Sequence, residues 1–192
     1  MLFRSKNDNA EAKISLYGGQ LLSYKPVLKN EFLFLSERAF YKTGKSIKGG
    51  VPVCWPWFGQ DPENKDRPFH GFARNMLWEL SEISYEKDMT YVEMTLSQSD
   101  ESMKIWPNKF KLTIKLFISD SLQIELITEN KDAVSFEISQ ALHTYFSISD
   151  IENICIYGLE DKCYLDKAKS NQGEELKVQQ GSIEFAGEVD RI

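Results

Sequence analysis

In residues 110 to 118, Phe110, Leu112, Ile114 and Leu116 alternate with Lys111, Thr113 and Lys115. A period of two belongs to an extended strand, whose successive side chains point to opposite faces, so this stretch has one face for a core and one for water. After Ser119, Asp120 and Ser121 the alternation resumes at Leu122, Ile124 and Leu126. Two such runs joined by a short polar connection predict an antiparallel hairpin. Similar runs lie around Ile14 and Leu16, around Phe32 and Phe34, at Val92, Met94 and Leu96, from Val134 to Phe146, around Ile154 and Ile156, and at Ile183 and Phe185. They recur about every ten residues, the rhythm of an all-β chain. Asp100 to Trp106, ahead of Pro107, is the one place where a short helical turn is expected. The predicted class is an all-β antiparallel sandwich with helices in a minor role.

The chain has 192 residues, 42% hydrophobic and 27% charged, enough apolar material for one substantial core. No internal repeat, low-complexity tract or linker divides it, so residues 1–192 are expected to form a single domain. The longest nearly uninterrupted apolar stretch, residues 51 to 58, contains two prolines and is less than half the length that crosses a bilayer. The start, MLFRSKNDNAEAK, puts charged residues where a secretory signal needs an apolar stretch. No membrane association is expected, and a cytoplasmic address is the default. Asp and Glu outnumber Lys and Arg by 29 to 23, a net charge of −6 that opposes nucleic acid binding. Cys54, Cys155 and Cys163 are odd in number and never spaced as CxxC, and only two histidines exist to join them. Three reduced, mostly buried thiols are expected, with no structural metal.

Two segments break the strand rhythm: residues 42 to 75, which hold four of the six prolines, and residues 166 to 181, which are polar with Gly173 and Gly181. Long irregular segments on a sheet scaffold tend to carry function. In IKGGVPVCWPWFG, residues 47 to 59, Gly49 and Gly50 permit close backbone approach while Pro52 and Pro56 stiffen the chain that carries Trp55, Trp57 and Phe58. Composition alone places Trp55 and Phe58 in a buried corner. Lys42, Lys45 and Lys48 precede this segment and Arg74 follows it. Without a ligand the lysines read as a solvated loop; for an anion, Arg74 is the better candidate, because guanidinium offers phosphate a planar fork. In the run from Val134 to Phe146, His143 and Tyr145 fall on the polar face, as they would on a carbohydrate-binding wall. Periodicity does not separate that role from that of a surface histidine without a task.

These strings, in order, resemble the hexose-6-phosphate mutarotases, or glucose-6-phosphate 1-epimerases, which are similar to aldose 1-epimerases. The resemblance rests on IKGGVPVCWPWFG, on HGFARNMLWEL from residue 70, on ALHTYFSISDI from residue 141, on GLEDKCYLDK after it, and on GEVDRI at residues 187 to 192. It implies a galactose mutarotase-like antiparallel β supersandwich and interconversion of the α and β anomers of a phosphorylated aldohexose, with no metal or organic cofactor. By the same resemblance His143 is the catalytic acid, Arg74 holds the phosphate, Asp190 helps to hold the sugar and His70 lines the pocket.

Three departures accompany it. Lys48 stands where the family pattern has arginine before the two glycines, so a fork becomes a point charge. Phe69 stands before His70, where relatives are often polar. Relatives continue well beyond the EVDR string and carry a catalytic glutamate there, so the chain resembles a C-terminally truncated member. Glu125 and Glu137 are the remaining strand carboxylates. A noncatalytic sugar-phosphate binding protein and an inactive fragment are therefore the alternative readings. Missing strands would also leave an open sheet edge through which copies of the chain associate.

Overall fold

The computed structural model describes residues 1–39, 44–168 and 175–192. Within it the chain forms two compact units, Met1–Ser147 and Ile148–Ile192.

The first unit begins with an antiparallel sheet of β1 (Leu2–Lys6), β2 (Ala10–Ser15) and β3 (Gln20–Pro26). Two-residue β4 (Val53–Cys54) follows, and then a four-stranded antiparallel meander: β5 (Glu79–Tyr85), β6 (Thr90–Ser97), β7 (Phe110–Ile118) and β8 (Leu122–Asn130). The alternation predicted for residues 110 to 118 is the whole of β7, and the expected hairpin pairs Ile118 with Leu122 and Phe110 with Asn130. Across β6 and β7, Val92 faces Leu116, Met94 faces Ile114 and Leu96 faces Leu112, all buried. They meet Ile14, Leu21 and Tyr24 of the first sheet in one apolar core, the arrangement of a sandwich. The predicted helical turn is α1 (Asp100–Ile105), started by a reciprocal capping box between Ser99 and Ser102. Toward β8 the core thins: Ile124 and Leu126 are only half buried although their β7 partners are fully buried.

The long strand expected from Val134 to Phe146 does not form; within it β9 (Ala141–Leu142) pairs with β4, and Phe146 makes a single bridge to Leu33. The chain there is nonetheless held alongside residues 50 to 54, since His143 N–H donates to Pro52 O at 3.0 Å and Tyr145 N–H to Gly50 O at 2.9 Å. Pro52 has no N–H to return, and that cuts the ladder short. The run around Phe32 and Phe34 is reduced to single bridges at Leu33 and Leu35, with its faces reversed: Leu33 is buried while Phe32 and Phe34 are half exposed.

In the second unit β10 (Cys155–Ile156) pairs with β13 (Ile183–Glu184), and β11 (Cys163–Asp166) with β12 (Glu175–Val178). The polar segment 166 to 181, expected to be irregular, thus contains a strand. Leu165 and Ile192 exchange two backbone hydrogen bonds. Cys54 is buried, but Cys155 and Cys163 are exposed, contrary to expectation, because they lie on the outer face of two-stranded ribbons with little apolar cover.

Candidate functional site

The site is built on residues 52 to 59. Trp55 is completely buried, packs edge-on against Phe72 and Trp106, and donates its indole N–H to Thr128 Oγ1 at 3.0 Å. It anchors the segment in the core. Its carbonyl accepts the N–H groups of Phe72 at 3.0 Å and Ala73 at 3.3 Å. Gly71 passes so close that a Cβ there would sit 1.9 Å from Trp55 O, and its φ of +70° lies where side chains are disfavoured. Glycine at residue 71 therefore permits the close approach that carries His70 to the site. On the other side Ser139 N–H donates to Pro56 O at 3.0 Å, and Phe58 N–H to Ser139 Oγ at 3.0 Å. One rigid segment thus holds the HGFAR string and the ALHTYF string together, and brings the rings of His70 and His143 to 5.7 Å between centroids.

His70 adopts a φ of +64°, a strained backbone for a residue with a side chain. Two hydrogen bonds to Gly59 hold it there: His70 N–H donates to Gly59 O at 2.6 Å, and Gly59 N–H donates to His70 Nδ1 at 2.8 Å. An Nδ1 that accepts carries no proton, so the imidazole is neutral with its hydrogen on Nε2. Burial, then the charge of Arg74, then His143 lower its pKa from the ordinary 6.5 to about 4. Among the described residues no carboxylate is one of the groups acting on it. His70 is a fixed N–H donor near neutral pH and a poor proton shuttle.

His143 is half buried. Its ring lies 6.3 Å from Phe58 in a stacked orientation and 5.1 Å from Tyr145. Among the described residues its ring nitrogens make no hydrogen bond, which leaves both available to a ligand. Arg74 lies in a one-turn 3-10 helix, Ala73–Asn75, and donates from Nη2 to Phe69 O at 2.7 Å. Its buried Nε has no hydrogen-bond partner, and no described carboxylate lies within ion-pair distance. An uncompensated guanidinium acting on the His70 imidazole favours an anion.

Of the five residues singled out in the sequence, His70, Arg74 and His143 come together. Lys48 is exposed, with its backbone carbonyl held by Ser36 N–H. Asp190 is exposed in the second unit, its carbonyl accepting from Lys167 N–H at 2.8 Å. Lys42 lies outside the described residues. Glu125 faces Lys115 across the β7–β8 ladder and Glu137 is exposed. Phe58, expected in the core with Trp55, is half buried against both imidazoles, 4.7 Å from His70. Burial runs unbroken from Val51 to Trp57 and ends at Phe58, and no alternation in the sequence marks that end. A cavity of about 650 Å³ opens elsewhere, on Tyr17, Ile47, Asn75 and Met76; none of the three site residues lines it.

The sequence profile of the family described as aldose 1-epimerase matches residues 1–192. The chain belongs to the aldose 1-epimerase family. An Escherichia coli K12 member named "Putative glucose-6-phosphate 1-epimerase" is 37% identical over 182 residues, 95% of this chain and 59% of that protein. The crystal structure of a "putative mutarotase" from Salmonella typhimurium superposes with a TM-score of 0.89 at 34% identity, over 99% of this chain and 62% of that one. A galactose mutarotase related enzyme from Lactobacillus acidophilus, 18% identical with a TM-score of 0.70 over 97% of this chain and 65% of its own, shares the fold. This aldose 1-epimerase family member thus has the antiparallel mutarotase fold and spans about three-fifths of the length of the curated relatives it matches. No described helix is long and apolar enough to cross a membrane.

Proposed function

We propose that residues 1–192 carry the sugar-binding part and the acid of a site that interconverts the α and β anomers of a hexose 6-phosphate. Mutarotation takes a proton from the hydroxyl on C1 and delivers one to the ring oxygen; the C1–O5 bond opens, C1 turns about the C1–C2 bond, and the ring recloses on the other face. His143 exchanges its proton with the ring oxygen, as an imidazole does readily near neutrality. His70 donates its Nε2–H to a sugar hydroxyl, and Arg74 pairs with the phosphate. Lys48 and Asp190 add a point charge and a hydroxyl contact by their positions in the family pattern; in the relatives that this chain resembles, the base is a glutamate in the later part of the fold.

The observation that carries this reading is the pair of imidazoles 5.7 Å apart, one fixed as a neutral donor and the other without a hydrogen-bond partner, beside an uncompensated guanidinium. A second reading, sugar-phosphate binding without turnover, is favoured by the lack of a described carboxylate among the groups acting on His70. Exchange NMR on the α and β anomers of glucose 6-phosphate separates the two. Exchange above the uncatalysed rate, lost by about 10²-fold or more in His143→Ala, supports catalysis. Binding without exchange supports the second reading, and exchange indifferent to His143→Ala contradicts the assignment of the acid.

A further inference from the structure

Four rings form a continuous strip, Phe69, His70, His143 and Tyr145, with successive centroids 4.2, 5.7 and 5.1 Å apart. Phe69 closes one end of it. Its ring stands edge-on to His70 at 63°, the residue is 54% exposed, and its carbonyl accepts the Arg74 guanidinium. The residue therefore touches the imidazole with its ring and the cation with its backbone.

We propose that Phe69 is a specificity-determining residue of this site: its exposed ring packs against the C–H face of a pyranose whose phosphate is held by Arg74. The inference rests on the hexose 6-phosphate reading above. A pyranose carries hydroxyls around its rim and C–H groups on its faces, so it needs donors and apolar surface side by side. The strip supplies both, with the Phe69 ring 4.2 Å from the His70 ring that carries the Nε2–H. Because Phe69 lies at the guanidinium end, its ring meets the C5–C6 side of an aldohexose 6-phosphate and loses water-exposed apolar area when that ligand binds. Inorganic phosphate offers Arg74 the same charge and offers Phe69 nothing.

Calorimetry with glucose 6-phosphate and with inorganic phosphate, on the chain and on Phe69→Ala, Phe69→Tyr and Arg74→Ala, tests this. Phe69→Ala is expected to weaken glucose 6-phosphate about fivefold, leave phosphate unchanged, and be rescued by Phe69→Tyr. Arg74→Ala weakens both ligands. Unchanged glucose 6-phosphate affinity in Phe69→Ala overturns the role of Phe69, and with the Arg74→Ala loss intact it leaves the hexose 6-phosphate reading standing. Equal losses for both ligands in Phe69→Ala also overturn it. Failure of the unaltered chain to bind glucose 6-phosphate overturns both.

Discussion

Gly59 and His70 exchange two hydrogen bonds, one between backbones and one in which the Gly59 N–H enters His70 Nδ1. The second turns a titratable ring into a fixed donor, because protonating Nδ1 would set two N–H groups against each other. The strained backbone at His70 is the cost of aiming that donor.

A pH dependence of stability follows. The folded pKa of His70, about 4, lies below its ordinary 6.5. Between those values the unfolded chain binds the proton more readily, so stability falls as pH drops from about 6.5 to about 4 and the effect saturates below. His70→Asn keeps an acceptor for Gly59 N–H, tolerates positive φ and does not titrate. Urea unfolding across this range is expected to show a shallower fall for His70→Asn than for the unaltered chain. Equal slopes would mean that His70 titrates normally.

Gly71→Ala places a Cβ 1.9 Å from Trp55 O at positive φ. A loss of about 3 kcal/mol or more is expected in chemical denaturation. A near-neutral result would show that the Trp55–Gly71 contact is looser than described.

Asp61, 4% exposed, pairs with Arg67 at 2.7 Å within the loop whose Pro68 carbonyl accepts the Trp57 indole N–H. Asp61→Ala leaves the mostly buried guanidinium with only the exposed Glu63 carboxylate, at 3.7 Å, and is expected to cost about 2 kcal/mol. The same variant should weaken glucose 6-phosphate binding, since this loop leads into His70. Intact stability in denaturant would show that the pair contributes little.

Arg74→Ala is expected to weaken glucose 6-phosphate about 10- to 100-fold, as loss of a charge-assisted contact does, and to leave glucose nearly unaffected. Titrations with both sugars measure the difference. Equal losses would show that Arg74 does not read the phosphate.

The sheets were legible where side-chain polarity alternates: β7 and its hairpin follow from Phe110, Leu112, Ile114 and Leu116 alone, although the face expected to be wet is half buried, with Thr113 only 4% exposed. Strands with other exposures were not. β5 is exposed along nearly its whole length and carries a register shift between Leu80 and Glu82, so no clean period marks it. β3 buries Gln20, Leu21 and Leu22 in succession and likewise lacks alternation. The residue types of the site were legible, but its assembly was not. Nothing local in the sequence says that Trp55 O receives Phe72 N–H, that Pro52 cuts the β9 ladder short, or that His143 comes to rest beside His70. Those are long-range contacts, set by the core around Trp55.

In the proposed function the two imidazoles serve one sugar-phosphate site in different protonation roles. The chain has only two histidines, so ring nitrogen–proton correlation NMR resolves each without ambiguity. Recorded near pH 7 with and without glucose 6-phosphate, the spectra are expected to show His70 as the Nε2–H tautomer in both conditions, and the ring signals of both histidines moving when the sugar phosphate is added. His70 protonated on Nδ1, or two sets of ring signals unmoved by saturating glucose 6-phosphate, would contradict it.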